Sequence, residues 1–187
     1  MLFEKEGFHG VTVKQIVEAV GISKGGFYHH FTSKDELLFV IHDIFITYAL
    51  DKASLANEQH DSPTDRLRAI IKDFVSVFDM YQAHLTVFYQ ENIYLLPEHA
   101  LIVKEKRNQF KDMIKAALQD GIVSGEFRKE LSVDITALAI LGMVNWTYRW
   151  YQQSGENSIE EIADYYIDLI MHATLKKHIL SSNDENE

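Results

Sequence analysis

The side chains best suited to chemistry crowd into one short stretch of this 187-residue sequence, Lys24-Gly-Gly-Phe-Tyr-His-His-Phe-Thr-Ser-Lys34. Lys24 and Lys34 bring charge, Tyr28 a phenol, His29 and His30 imidazoles, while Gly25 and Gly26 bring no side chain at all. A glycine in a helix costs about 1 kcal/mol relative to alanine, and it leaves the backbone bare for something to approach closely. At the first turn of a helix, free N–H groups favour an anion. Phosphate recognition is therefore the chemistry this stretch offers. The paired histidines have no third ligand at a metal-binding spacing, so no metal is assigned.

Other chemistries are poorly supported. The chain has no cysteine, which excludes disulfides, thiolate metal sites and a cysteine nucleophile and fits the cytoplasm. No Glu-x-x-His pair, His-Glu-x-x-His motif or glycine-rich phosphate loop occurs, so neither an enzyme nor a cofactor is expected. The N-terminal MLFEKEGFHG lacks the apolar core of a leader. The longest uncharged apolar stretch, Ile135 to Tyr148, is about 14 residues, where a membrane span needs about 20.

The elements that must position these groups are helical throughout, and the expected fold is all-α. Only Pro63 and Pro97 interrupt the chain as prolines, and apolar residues recur at helical spacing. Thr12 caps a short helix whose face is Val13, Ile16, Val17 and Val20, and Gly21 ends it. Ser23 caps a second running to Phe31, with Phe27 and Phe31 turned toward the first helix and Lys24, Tyr28 and Thr32 on the opposite side. Thr32 or Ser33 opens a third helix to about Leu55. Further helices are expected from Leu67 to Tyr81, from His84 to Leu95, from Pro97 to near Gly121, from Ser132 to about Gln153, and from Ser158 through Ala173. Two short helices joined at Gly21 have the layout of a helix-turn-helix, whose second helix enters a DNA major groove. The formal charge of −10 belongs to the whole chain; between Gly10 and Lys34, three lysines face one acid, Glu18.

The string GISKGGFYHHFTSKDEL, with GFHGVTVKQIVEAV before it, closely resembles the DNA-binding signature of the tetracycline-repressor (TetR) family of bacterial transcription regulators. The resemblance covers about the first 45 residues. It implies that Thr12 caps a helix and touches phosphate, that Lys14 reaches bases or phosphates, and that Lys24, Gly25 and Gly26 begin the groove-facing helix. Tyr28, His30 and Lys34 match positions that clamp the DNA backbone, and His29 an adjacent, commonly aromatic one. Val17 replaces a usual alanine and Gly26 a frequent hydroxyl residue. Members normally carry a longer first helix behind a basic arm, of which MLFEKEGF would be only the end. The alternative is thus a truncated member that binds ligand and dimerises without binding DNA.

The expected organisation is a helix-turn-helix domain over 1–45, a ligand-binding and dimerisation domain over 46–180, and a disordered tail over 181–187. One recognition helix reads few base pairs, so a homodimer on a palindromic operator of double-stranded DNA is expected. Its interface is expected at Ala139, Gly142, Trp150, Ile162, Tyr166, Leu169, Ile170 and Ala173 on the last two helices, as in the family. Aromatic and polar residues in the middle of the chain could enclose a ligand: Phe74, Phe78, Tyr81, Phe88, Tyr89, Glu91, Asn92, Phe110, Met113, Met143, Asn145, Trp146 and Arg149. The segment GMVNWTYRWY resembles regulators of fatty-acid and steroid catabolism within the family, which makes an acyl-CoA or fatty acid the expected effector. A lipophilic cation in an aromatic cage with Glu91 is the alternative.

Overall fold

The computed structural model describes residues 2–176, apart from the side chains of Ala83 and Thr86. The expected tail over 181–187 lies outside the described residues. Among these residues there are nine α-helices and no strand: α1 Leu2–Gly10, α2 Val13–Val20, α3 Lys24–His30, α4 Lys34–Gln59, α5 Pro63–Met80, α6 Gln82–Gln90, α7 Pro97–Ser124, α8 Val133–Trp146 and α9 Ile159–Thr174. Turns of 3-10 helix follow α6 at Asn92–Tyr94 and α8 at Thr147–Arg149.

Two compact units emerge, and neither is contiguous in sequence. Met1–Tyr48 and Tyr81–Lys106 form the first, so α6 and the start of α7 join the helix-turn-helix. Ala49–Met80 and the described residues from Arg107 onward form the second. The first unit is organised around Phe3, Phe8, Val11, Leu38, Ile41 and Val87, with α1 packed on α6. In the second, α5 and α9 pack through Leu67, Ile70, Phe74, Val77 and Phe78 on one helix and Ile162, Ala163, Ile167 and Ile170 on the other, all buried.

Two expectations require correction and a third a small adjustment. Val20, expected on the inward face of α2, is 63% exposed, and Val17 is the residue buried there. Helix α7 runs through Gly121 and ends three residues later at Ser124, before Gly125 at φ 84°. Gly121 is a seat: a Cβ built on it would lie 2.2 Å from Cδ2 of Phe127, whose ring folds back over the helix. Helix α8 stops at Trp146 instead of about Gln153, because the chain tightens into the 3-10 turn, where the Trp150 and Tyr151 N–H groups both donate to the Thr147 carbonyl.

Candidate nucleic-acid interface

The recognition unit is built from its caps upward. The Thr12 hydroxyl accepts the Gln15 N–H at 3.3 Å while the Gln15 side-chain oxygen accepts the Thr12 N–H at 2.8 Å, a reciprocal capping box that starts α2. Gly21 ends it at φ 71°, a left-handed conformation that turns the chain into α3. Ser23 then caps α3 by accepting the Gly26 N–H at 2.9 Å. Buried Phe27 anchors the inner side.

On the outer side the two glycines stand open. A Cβ at Gly25 or Gly26 would meet Ser23 Oγ at 3.6 or 3.5 Å, ordinary contact distances. Internal packing therefore does not require either glycine. Around them, Lys24, His29 and His30 are exposed and Tyr28 is 54% exposed, its ring edge-on to Phe27. Thr12 and Lys14 are exposed at the start of α2, and Lys14 has only a loose, solvated pairing with Glu18 at 3.8 Å. Eight of the nine residues expected to meet DNA thus share exposed or half-open surface of one small unit.

Lys34 differs. Its ammonium donates to the carbonyls of Phe8 at 2.7 Å and Val11 at 2.8 Å and sits 4.2 Å over the Phe8 ring. Two of its three N–H donors are thereby committed inside the protein. Helix α4 is capped at the same place: Ser33 Oγ accepts the Glu36 N–H, and the Glu36 carboxylate accepts from both the hydroxyl and the N–H of Thr32. These Thr32 bonds hold the Glu36 carboxyl below its usual pKa.

The residues expected to line a ligand pocket fall into separate groups. In the second unit, buried Phe74, Phe78 and Phe110 cluster, with Phe74 and Phe110 ring centroids 4.7 Å apart and Met113 half-buried on α7. In the first, Phe88 packs on Phe45 and His42, Tyr89 lies against Phe88, and Tyr81 against Tyr48. Glu91 is 9% exposed and accepts the Phe8 N–H at 3.1 Å, so its carboxylate is engaged with backbone, while Asn92 is exposed. Met143 and Asn145 are half-buried on α8. Trp146 is 61% exposed, and the Arg149 guanidinium lies 5.8 Å from its ring and 5.7 Å from that of Tyr148.

The last two helices carry an exposed apolar face. Ile135, Leu138, Ala139, Gly142 and Trp146 recur at helical spacing along α8, opposite buried Ala137, Ile140 and Val144. Helix α9 adds Tyr165, Leu169 and Ala173, and Trp150 stands half-exposed beyond α8. A groove of about 570 Å³ lies along α9, lined by Trp150, Ile162, Tyr165, Tyr166 and Leu169 together with the polar Asn157, Glu161 and Asp164. Ile162 and Ile170, expected at an interface, are instead buried in the protomer, and Tyr166 is half-buried with its hydroxyl 3.0 Å from Thr147 Oγ1. Sequence reading missed Ile135, Leu138 and Tyr165. Their signal was present as the complement of the buried stripe.

Residues 1–41 match the family described as bacterial regulatory proteins, tetR family, and residues 60–174 match the tetracyclin repressor-like C-terminal domain. The transcriptional repressor KstR2 of Mycolicibacterium smegmatis is 24% identical over 172 residues, covering 91% of this chain and 83% of its own. The regulator PfmR of Thermus thermophilus superposes with a TM-score of 0.85 at 30% identity, covering 91% and 93% of the two chains. AibR, solved with isovaleryl coenzyme A and operator DNA, shares the fold at a TM-score of 0.77 and 23% identity, with 90% and 91% covered.

Proposed function

The chain belongs to the tetR family of bacterial regulatory proteins, and from that premise we propose that it is a homodimeric repressor, bound to a palindromic operator through α3 and released by a hydrophobic effector of the acyl-CoA or fatty-acid class. The observation that carries the DNA reading is the start of α3. Two glycines weaken that helix where packing leaves room for a side chain, and the surface around them presents Lys24, Tyr28, His29 and His30. Close approach of DNA backbone to protein backbone accounts for both facts. Thr12, Lys14 and the first N–H groups of α3 add phosphate contacts.

Dimerisation is supported by the face of Ile135, Leu138, Gly142, Trp146, Tyr165 and Leu169, whose exposure is hard to reconcile with a solvated surface. Ala139 and Gly142 let a partner helix approach closely. Two copies then present two recognition helices about one turn of DNA apart. For the effector, the cluster of Phe74, Phe78, Phe110 and Met113 offers an apolar site that an acyl chain would open, and AibR supplies the precedent of a coenzyme A thioester. An effector that binds better to a conformation with misplaced recognition helices weakens DNA binding by that same difference in affinity. The cytoplasm is the compartment where such a protein meets both partners.

Selection from a randomised duplex pool, with and without palmitoyl-CoA, tests this reading. A palindrome recovered without the thioester and lost with it is the expected result. Failure to enrich any duplex refutes DNA binding and leaves the ligand-binding dimer as the surviving alternative, while a palindrome indifferent to palmitoyl-CoA refutes the effector class alone.

A further inference from the structure

The Phe8 backbone is held through its N–H and its carbonyl by opposite charges. Its N–H donates to the buried Glu91 carboxylate at 3.1 Å, and its carbonyl accepts from Lys34 at 2.7 Å. The two partners are distant in sequence. Glu91 lies between α6 and the 3-10 turn after it, and Lys34 is the first residue of α4, immediately beyond the recognition helix. The backbone of α1 is shaped for this. Gly7 adopts φ 69°, ψ 165° within the helix, a conformation essentially confined to glycine, which takes the Phe8 N–H out of the helical ladder and presents it to Glu91. The Phe8 ring completes the joint, buried against Phe3, stacked with Tyr94 and lying beneath the Lys34 ammonium.

We propose that Glu91 is a positioning residue for DNA binding: it fixes the kinked end of α1 to α6, and Lys34 carries that placement to the start of α4 and so to α3. This rests on the DNA-binding reading above. It also gives Lys34 a role different from a phosphate clamp, since two of its three donors are spent on the Phe8 and Val11 carbonyls. Movement of the end of α6 relative to α1 would break the Glu91 bond and leave the Lys34 bonds to the Phe8 and Val11 carbonyls in place.

The test compares the full chain with Glu91→Gln, Glu91→Asp, Glu91→Ala and Lys34→Met. Affinity for the selected duplex is measured across a salt series, and hydrogen exchange is followed at the Phe8 amide. Glu91→Gln keeps an acceptor oxygen in reach and is expected to bind DNA nearly as the native chain does. Glu91→Asp keeps the charge but withdraws it by one methylene, and both it and Glu91→Ala are expected to lose about tenfold in affinity with faster Phe8 exchange. Lys34→Met is expected to lose affinity with an unchanged log–log salt slope, whereas a lost phosphate contact in each protomer would lower the slope by about 2. Native affinity in Glu91→Asp and Glu91→Ala, native exchange at Phe8 in those variants, or the reduced slope in Lys34→Met would each overturn the proposal. If the native chain itself enriches no duplex, the DNA-binding reading fails and the positioning role falls with it, while Phe8 exchange still reports whether the bond exists.

Discussion

The Tyr151 hydroxyl donates to the Asp79 carboxylate at 2.6 Å, tying the segment after α8 to the end of α5. Gln153 reinforces the tie by donating to the Asp79 carbonyl at 3.2 Å. Together they hold the loop that carries Trp150, which lines the groove along α9. Burial, with the hydrogen bond and charge of Asp79 added, pushes the Tyr151 phenol up to about 12. A pKa raised on folding contributes stability that is complete below the unfolded value near 10 and is lost as pH rises through the folded value. Ultraviolet titration should show a tyrosine step near pH 12, and Tyr151→Phe should abolish it. The variant should also lose about 1–2 kcal/mol of stability, measured by urea unfolding at neutral pH.

At the opposite end of α5, Glu126 acts as a cap supplied from a distant loop. Its carboxylate accepts from the Ser62 hydroxyl at 2.9 Å and the Thr64 N–H at 3.0 Å. Burial alone would raise its pKa, but the bonds from Thr64, Ser62 and Ser124 outweigh burial and the net shift is downward. A lowered pKa means that the stabilisation is present above the ordinary carboxylate range and fades as pH falls through the folded value. Glu126→Gln should melt several degrees below the native chain at pH 7, and the gap should close as the pH falls below the ordinary carboxylate range; thermal melts across an acid series check it.

Exposed and buried residues of the last two helices should respond oppositely. Leu138→Glu is expected to raise the dissociation constant of the proposed dimer about a hundredfold without changing helicity. Ile162→Ala removes a side chain buried against α5 and should cost about 2–4 kcal/mol of folding stability. Analytical ultracentrifugation and urea unfolding separate the two effects. Monomer formation by Ile162→Ala at full stability would reverse the assignment of the faces.

The helices were legible in the sequence because caps and apolar spacing agree: Thr12 and Gly21 bound α2, Ser23 starts α3, and Ser158 starts α9 with a reciprocal Glu161 bond. Local signals could not reveal what distant residues do. Gly121 reads as a helix stop until Phe127 is seen lying on it. Glu91 reads as a ligand group until its 83-residue reach to Phe8 is seen, and Lys34 as a DNA-backbone clamp until the Phe8 and Val11 carbonyls are found accepting from it. Likewise, periodicity marks the apolar stripes of α8 and α9, but only packing against α5 decides which side of each faces the protomer's own core.

The central claim is that α3 begins with bare backbone because DNA must come close. Gly25→Ala combined with Gly26→Ala tests it most directly, since the added methyl groups meet Ser23 Oγ and, at Gly26, Ile22 Cβ, all at ordinary contact distance. Alanine should stabilise the helix by about 0.5–1 kcal/mol per site. The account predicts a double variant that melts at or above the native temperature and loses most of its affinity for the selected duplex in fluorescence anisotropy. A double variant that is equally stable and still binds that duplex with native affinity would contradict it.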